Sequence, residues 1–197
     1  MVTIESLEAQ IATLKAQAKS AAPASLKLDL GCGTKKTEGF VGVDERAFPG
    51  VDVVCDIGVS AWPWPDNSVE EVRCSHTVEH LTASQRIHFA NELFRVLKPG
   101  ATALITTPHW ASCRAYGDLT HQWPPVSEMW FGYLNTTWRA ANAPHNDTYT
   151  CDFEYPPTIG YAPHPSLIGR NQEFVQEALR DHKEAAQDMQ ATLRKAL

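Results

Sequence analysis

The most constraining feature of this sequence is an apolar strand that runs directly into a glycine turn, Leu28-Asp29-Leu30-Gly31-Cys32-Gly33. Glycine at 31 and 33 lets the backbone approach a ligand where a Cβ would collide. Two further strand-like runs end in an acid, at Asp44 and at Asp56. In nucleotide-binding α/β folds an acid at the end of the second strand hydrogen-bonds a ribose diol, and Asp56 is suited to accept from an adenine amino group. The pattern predicts a nucleoside pocket built from three strand ends.

Short apolar runs alternate with a helical stretch. Residues 26–30, 40–43, 51–55, 69–74 and 101–106 have the composition of strands, and residues 82–96 carry apolar side chains at helical spacing. This alternation predicts an α/β fold with a mostly parallel central sheet and flanking helices. Because only about ten residues separate Gly33 from Asp44, we expect a shortened first crossover helix of at most one turn.

The length of 197 residues fits one domain. We divide the chain into an N-terminal helix and linker (1–22), a main domain (23–165) with a substrate-side insert at about 109–165, and a C-terminal helix (166–197) packed on the same domain. In the last part, Ala186, Met189 and Leu193 are expected on one helix face. Residues 4–20 have an a/d spacing that suits either docking on the protein's own domain or a homodimer.

Charge and cysteine content limit the possible partners. The net charge of −6, without basic runs, disfavours nucleic acid, and no apolar stretch is long enough to suggest a membrane span. The five cysteines are scattered and form no C-x-x-C pair, so neither a disulfide framework nor a zinc knuckle is indicated. We therefore expect a protein of the reducing cytoplasm.

Five motifs in order give the chain a family resemblance: LDLGCG, VGVDE, VCDI, PWPDNSVEEVRCSHTVEHL and FRVLKPGATALITTP. Residues 26 to about 122 resemble the class I S-adenosylmethionine-dependent methyltransferases, most closely a compact, type 11-like group. The resemblance implies a Rossmann-like methyltransferase fold, S-adenosyl-L-methionine as cofactor, and a cofactor pocket of Asp29, Gly31, Cys32, Gly33, Asp44, Asp56 and Ser75. A dinucleotide-binding domain fits less well, because its G-x-G-x-x-G motif would need glycine where Lys36 stands.

Similar compact enzymes modify sugars or small molecules. We therefore expect methyl transfer to a small-molecule or glycan acceptor, through an oxygen nucleophile. Aromatic residues concentrated between Trp110 and Trp138 suit sugar stacking, or alternatively cap the sheet. The competing hypothesis is a non-catalytic binding or regulatory module that docks a partner through its N-terminal helix.

Three histidines are candidates for the general base that an oxygen nucleophile needs. His76 follows the fourth predicted strand, His109 follows the fifth, and His121 lies in the stretch GDLTH. We expect the three to converge beside the methyl group, with at least one acting as base. His76, Glu79 and His80 also form H-x-x-E-H, a pattern that suits a divalent metal. We treat the metal as the less favoured interpretation.

Overall fold

The computed structural model of the protein describes residues 25–197. The predicted N-terminal helix and linker, including the a/d seam at residues 4–20, lie outside the described residues. The strands are β1 (Lys27–Leu30), β2 (Val41–Asp44), β3 (Val53–Val54), β4 (Val69–Ser75), β5 (Leu97–Pro108), β6 (Thr158–Pro163) and β7 (Ala186–Arg194). The helices are α1 (Ala83–Val96), α2 (Arg114–Gly117), α3 (Glu128–Gly132), α4 (Thr136–Asn142) and α5 (Gln172–Asp181), with short 3-10 helices at Val78–His80 and Pro165–Leu167.

The strands of the described part form one seven-stranded sheet in the order β3-β2-β1-β4-β5-β7-β6. Strands β1 to β5 pair in parallel, whereas β7 is antiparallel to both β5 and β6. The parallel order reverses direction at β1, so the carboxyl ends of β1, β2 and β4 open onto a common crevice. Ligands bind at such a switch point in open α/β sheets. The mostly parallel Rossmann-like sheet predicted from the sequence is confirmed.

Helix α1 is the long crossover helix of the parallel half of the sheet. A capping box between Thr82 and Gln85 begins it, and its buried side, which includes Phe89 and Leu93, packs on the sheet. The first crossover, residues 31–40, contains turns, and the expected shortened helix of at most one turn is not formed there. Strand β4 buries Val72 and Cys74 on the α1 side.

The prediction of a C-terminal helix over residues 166–197 is wrong for its second half. Helix α5 ends at Asp181, and residues 186–194 form strand β7 between β5 and β6. Met189, Ala191 and Leu193 alternate into the core with the period of a strand. The prediction was wrong because Ala186, Met189 and Leu193 fit a helical spacing as well as a strand. Pairing with the open edge of β5 selects the strand.

The segment predicted as an insert, residues 109–165, holds helices α2 to α4 and strand β6. The alternating stretch at residues 149–155 contributes only an isolated bridge between Phe153 and Lys195. Among residues 25–197, none of the helices has the length and apolar character needed to cross a membrane.

Candidate active site

The glycine turn after β1 requires both of its glycines. Gly31 has a φ of +67°, and its N–H donates to the Val43 carbonyl at 2.8 Å. A Cβ at position 31 would overlap the side chain of Thr77. Gly33 has a φ of +52°, and its N–H donates to Asp44 Oδ2 at 2.9 Å. The turn is thereby tied to the end of β2, and main-chain atoms line the crevice.

Two adjoining cavities lie at the carboxyl ends of the strands and share Gly31 and His76 as lining residues. Their volumes, about 470 Å³ and about 480 Å³, are in the range of small-molecule sites. The first is bounded by the ends of β2 and β3 and by the turn after β4: Asp44, Asp56, Ile57, Thr77, His80, Leu81 and Thr120. The second is bounded by the ends of β1, β4 and β5: Asp29, Cys32, Ser75, Thr106 and Gln190.

Each strand-end acid also closes the loop that follows its strand. Asp29 Oδ2 accepts from the Thr37 N–H at 2.6 Å, and Asp56 Oδ1 accepts from the Gly58 N–H at 2.9 Å. Asp44 accepts from two main-chain N–H groups, one on each carboxylate oxygen. The loops are therefore held so that polar groups face the two cavities.

Cys32 offers its backbone rather than its thiol. Burial, reinforced by the charges of Asp29 and Asp44, raises the pKa of the Cys32 thiol. A protonated thiol is a poor nucleophile, and the Cys32 N–H donates to the Val43 carbonyl at 3.1 Å. The Cys32 main chain therefore ties the glycine turn to β2.

His76 lies at the boundary of the two cavities in an unusual backbone conformation. Its φ is +52°, in the left-handed region that side chains rarely adopt, and its N–H donates to the Thr106 carbonyl at 2.9 Å. The ring Nδ1 lies 3.3 Å from Glu79 Oε1. The Glu79 carboxylate raises the pKa of His76, against a smaller opposing effect of partial burial.

His109 occupies a separate, buried cluster. Its Nδ1 accepts from the Ala111 N–H at 3.2 Å, so Nε2 carries the proton and donates to Glu128 Oε1 at 3.2 Å. Glu128 also accepts from Trp110 Nε1 at 2.8 Å and from the Tyr161 hydroxyl at 2.9 Å. Both ring nitrogens of His109 are thus engaged, and the residue lines neither of the two cavities.

His121 lies beside His80, with 4.7 Å between the ring centroids. Ligand atoms of Glu79, His80 and His121 all lie within 4.8 Å of one another. Of the three predicted bases, His76 and His121 therefore approach Glu79, whereas His109 is held by Glu128. The predicted metal candidates were His76, Glu79 and His80. The cluster in the structure contains Glu79, His80 and His121, and His76 contacts only Glu79 of these.

The central part of the chain is similar to a known protein domain. Residues 39–105 match the family model described as a methyltransferase domain, a range that runs from before β2 into β5 and includes Asp44, Asp56 and His76. This part of the chain is therefore similar to a methyltransferase domain. No curated protein matches the sequence.

The fold is shared with solved structures of low sequence identity. A SAM-dependent methyltransferase from Archaeoglobus fulgidus is 21% identical over 95% of this chain and 94% of its own, with a TM-score of 0.62. A chain from a Haloferax volcanii complex with the Trm112 methyltransferase activator is 15% identical over 93% and 88%, with a TM-score of 0.52. A geranyl diphosphate C-methyltransferase from Streptomyces coelicolor is 16% identical over 92% and 80%, with a TM-score of 0.51.

Sequence reasoning missed Arg86, which organises this part of the candidate site. The buried guanidinium donates to four main-chain carbonyls: Val78 (3.1 Å), Glu79 (3.3 Å), Gln122 (3.2 Å) and Pro124 (2.6 Å). It thereby joins the 3-10 helix after β4 to the loop that carries His121. The available signal was an arginine on the apolar side of α1, one turn before Phe89.

The aromatic residues of the insert divide between two roles. Phe131 joins the main core, and Trp130 packs against it. The Tyr116 and Trp123 rings, 6.4 Å apart, remain 50% and 78% exposed. Part of the cluster therefore covers the sheet, and this exposed pair is open to a ligand.

Proposed function

We propose that this protein is an S-adenosylmethionine-dependent methyltransferase that methylates a hydroxyl group of a small-molecule or glycan acceptor, with His76 as the general base. The observation that carries the proposal is the position of His76. A strained, left-handed backbone holds its imidazole where the two cavities meet, next to a buried carboxylate. Backbone strain of this kind concentrates at functional sites.

The residues around the two cavities fit S-adenosylmethionine. We propose that Asp44 and Asp56 hold the nucleoside in the first cavity and that Asp29 and Ser75 hold the amino-acid portion in the second. The Gly31-Cys32-Gly33 backbone would pass beneath the junction. When bound, the cofactor supplies an electrophilic methyl group on a sulfonium. The junction is where Gly31 and His76 line both cavities.

The remaining task of the protein is to align the acceptor and remove its proton. As the acceptor oxygen bonds to the methyl carbon, the carbon–sulfur bond breaks and sulfur keeps the electron pair. The hydroxyl proton passes to Nε2 of His76, because Nδ1 faces Glu79. The Glu79 carboxylate, 3.3 Å from Nδ1, would stabilise the protonated ring. Alignment of this kind supplies much of the rate of a displacement reaction.

The exposed Tyr116 and Trp123 rings support a sugar or planar acceptor. They flank His121 in the chain, and the His121 ring is hydrogen-bonded to the Ala115 carbonyl at 3.2 Å. Aromatic faces near a polar site bind the apolar faces of sugars. We therefore propose that the acceptor enters between this pair and the histidines. His109 is proposed as a positioning residue that fixes Glu128 and the start of the insert.

The test is transfer of a labelled methyl group from S-adenosylmethionine to a panel of glycans and small hydroxylated compounds. His76→Ala is expected to lower turnover by about 10²–10⁴ with cofactor affinity, measured by calorimetry, nearly unchanged. Asp44→Ala is expected to abolish cofactor binding instead. His145→Ala, at an exposed position in the insert, serves as the unaffected control. Near-native turnover of His76→Ala on an identified acceptor would refute the assignment.

Two further expectations remain predictions. All five cysteines are free, which supports the proposal of a reducing compartment such as the cytoplasm. A homodimer through residues 4–20 predicts that removal of residues 1–22 lowers the mass measured by light scattering. An unchanged mass would contradict the dimer.

A further inference from the structure

We propose that Glu79, His80 and His121 form a binding site for one divalent transition-metal ion at the rim of the first cavity. Ligand atoms of the three side chains already lie within 4.8 Å of one another. His80 lines the cavity together with Thr120, so the site opens towards the place where the acceptor is expected. The three residues come from two segments about forty positions apart.

The hydrogen bonds of the two imidazoles leave the same ring nitrogen of each for a metal. His121 Nδ1 donates to the Ala115 carbonyl at 3.2 Å, so its Nε2 is unprotonated. Thr120 Oγ1 donates to Asp118 Oδ1 at 2.7 Å and therefore accepts from His80 Nδ1 at 2.9 Å. Metal-binding histidines are characteristically oriented by such a bond from the second nitrogen to a carbonyl or polar side chain. Both rings are thus prepared as Nε2 ligands.

Glu79 is the observation that requires an explanation. It is only 3% exposed, and within residues 25–197 neither carboxylate oxygen has a hydrogen-bond partner. His76 Nδ1 lies 3.3 Å from Glu79 Oε1, but the contact does not have the alignment of a hydrogen bond. Arg86 lies near but gives its donors to carbonyl oxygens, including that of Glu79 itself. A buried carboxylate needs an ion pair, hydrogen bonds or a metal ion to offset its desolvation, and of these Glu79 has only the contact with His76.

The cluster is held rigidly. The Gln122 N–H donates to the Glu79 carbonyl at 2.8 Å, and Arg86 bonds to carbonyls on both sides of the site. A site positioned by its surrounding hydrogen bonds loses little entropy when the ligand binds. This arrangement is that of a preformed site rather than of a chance encounter of surface side chains.

The donor set selects the class of ion. Two imidazoles and one carboxylate suit Zn²⁺, and also Mn²⁺, Co²⁺ or Fe²⁺, whereas Mg²⁺ prefers oxygen ligands. Three protein ligands leave a coordination position open, as in catalytic rather than structural metal sites. The role of the ion rests on the proposed function: it would hold the acceptor hydroxyl at the rim of the first cavity.

The experiment uses full-length protein treated with chelator and titrated with Zn²⁺ or Co²⁺. Calorimetry should give one ion per chain, and bound Co²⁺ should show ligand-field absorption bands of an imidazole site. Glu79→Gln and His121→Ala should each weaken binding by about 100-fold or more, and Thr120→Val, which removes an orienting hydroxyl, by about 10- to 100-fold. His145→Ala should bind as the unaltered protein does.

Binding well below one ion per chain, or equal affinity in the unaltered, Glu79→Gln and His121→Ala proteins, would overturn the proposal. Thermal unfolding and cofactor affinity confirm that each variant is folded. If Glu79→Gln or His121→Ala does not fold, the remaining one of the two is used for the test. His76→Ala separates the two proposals, since it should lose turnover and still bind the ion. If the ion does not bind while His76→Ala is inactive, the metal site fails and the proposed function stands.

Discussion

Replacement of His76 by glycine and by alanine tests the strained backbone and the proposed base in one experiment. The residue has a φ of +52° at the end of β4. Both substitutions remove the imidazole and its contact with Glu79, so those losses are equal in the two variants. The difference between them reports only on the backbone.

The size of that difference follows from the conformation. A left-handed backbone costs a residue with a Cβ about 1–2 kcal/mol, and glycine does not incur this cost. Glycine loses more entropy on folding, which offsets about 0.5–1 kcal/mol of the gain. His76→Gly should therefore be more stable than His76→Ala by about 0.5–1 kcal/mol.

The assay is the free energy of unfolding in denaturant, with Arg73 as a matched control on the same strand. Arg73 is exposed on β4 and is not among the residues with positive φ. There, glycine should be less stable than alanine by about 0.5–1 kcal/mol, so the sign of the difference should reverse between the two positions. In the methyl-transfer assay both His76 variants should lose about 10²–10⁴ in turnover, and added imidazole should restore part of it in His76→Gly.

Two results would refute this reasoning. If glycine is no more stable than alanine at position 76, the backbone there is not left-handed in solution. If turnover survives in both variants, His76 is not the base and catalysis depends on alignment alone.

Gly31→Ala should lower the free energy of unfolding by more than Gly33→Ala does. Both positions have positive φ, but only a Cβ at position 31 would overlap a neighbouring side chain. Denaturant titration measures the difference, and equal losses would contradict this prediction. Arg139 is a second buried arginine, on α4, and donates to the Tyr133 and Cys151 carbonyls. Arg86→Lys and Arg139→Lys should each cost about 1.5–3 kcal/mol of stability through lost bonds to buried acceptors, but only Arg86→Lys should weaken metal binding and turnover. Burial raises the pKa of Glu128, but hydrogen bonds from His109, from the main chain and from the Tyr161 hydroxyl outweigh it and lower the pKa to about 2. Stability from this carboxylate is therefore complete above pH of about 4.5 and lost as the pH falls towards 2. Because the side chain is 35% exposed, Glu128→Gln should remove about 1–2 kcal/mol of it, seen as a flatter acid limb in unfolding experiments.

The sequence alone determined the parallel half of the fold. The first five strands and helix α1 are specified by signals within a few residues: an apolar run, a glycine turn or acid at its end, and the Thr82–Gln85 cap. The same local signals placed Asp44 and Asp56 at strand ends and His76 after β4. Such features are readable because a residue and the neighbours that decide its conformation are adjacent in the chain.

Only the tertiary structure decided the remainder. Residues 186–194 satisfy a helical and a strand period, and pairing with the free edge of β5 made them a strand. The sequence places His109 beside His76 as an equal candidate, but Glu128, nineteen positions later, holds both it and Trp110. Glu79 and His121 meet because Arg86 and Gln122 bridge two distant segments. Contacts of this kind are hydrogen bonds between buried groups that are far apart in the chain. They depend on the packing of the whole fold, and a local sequence pattern does not predict them.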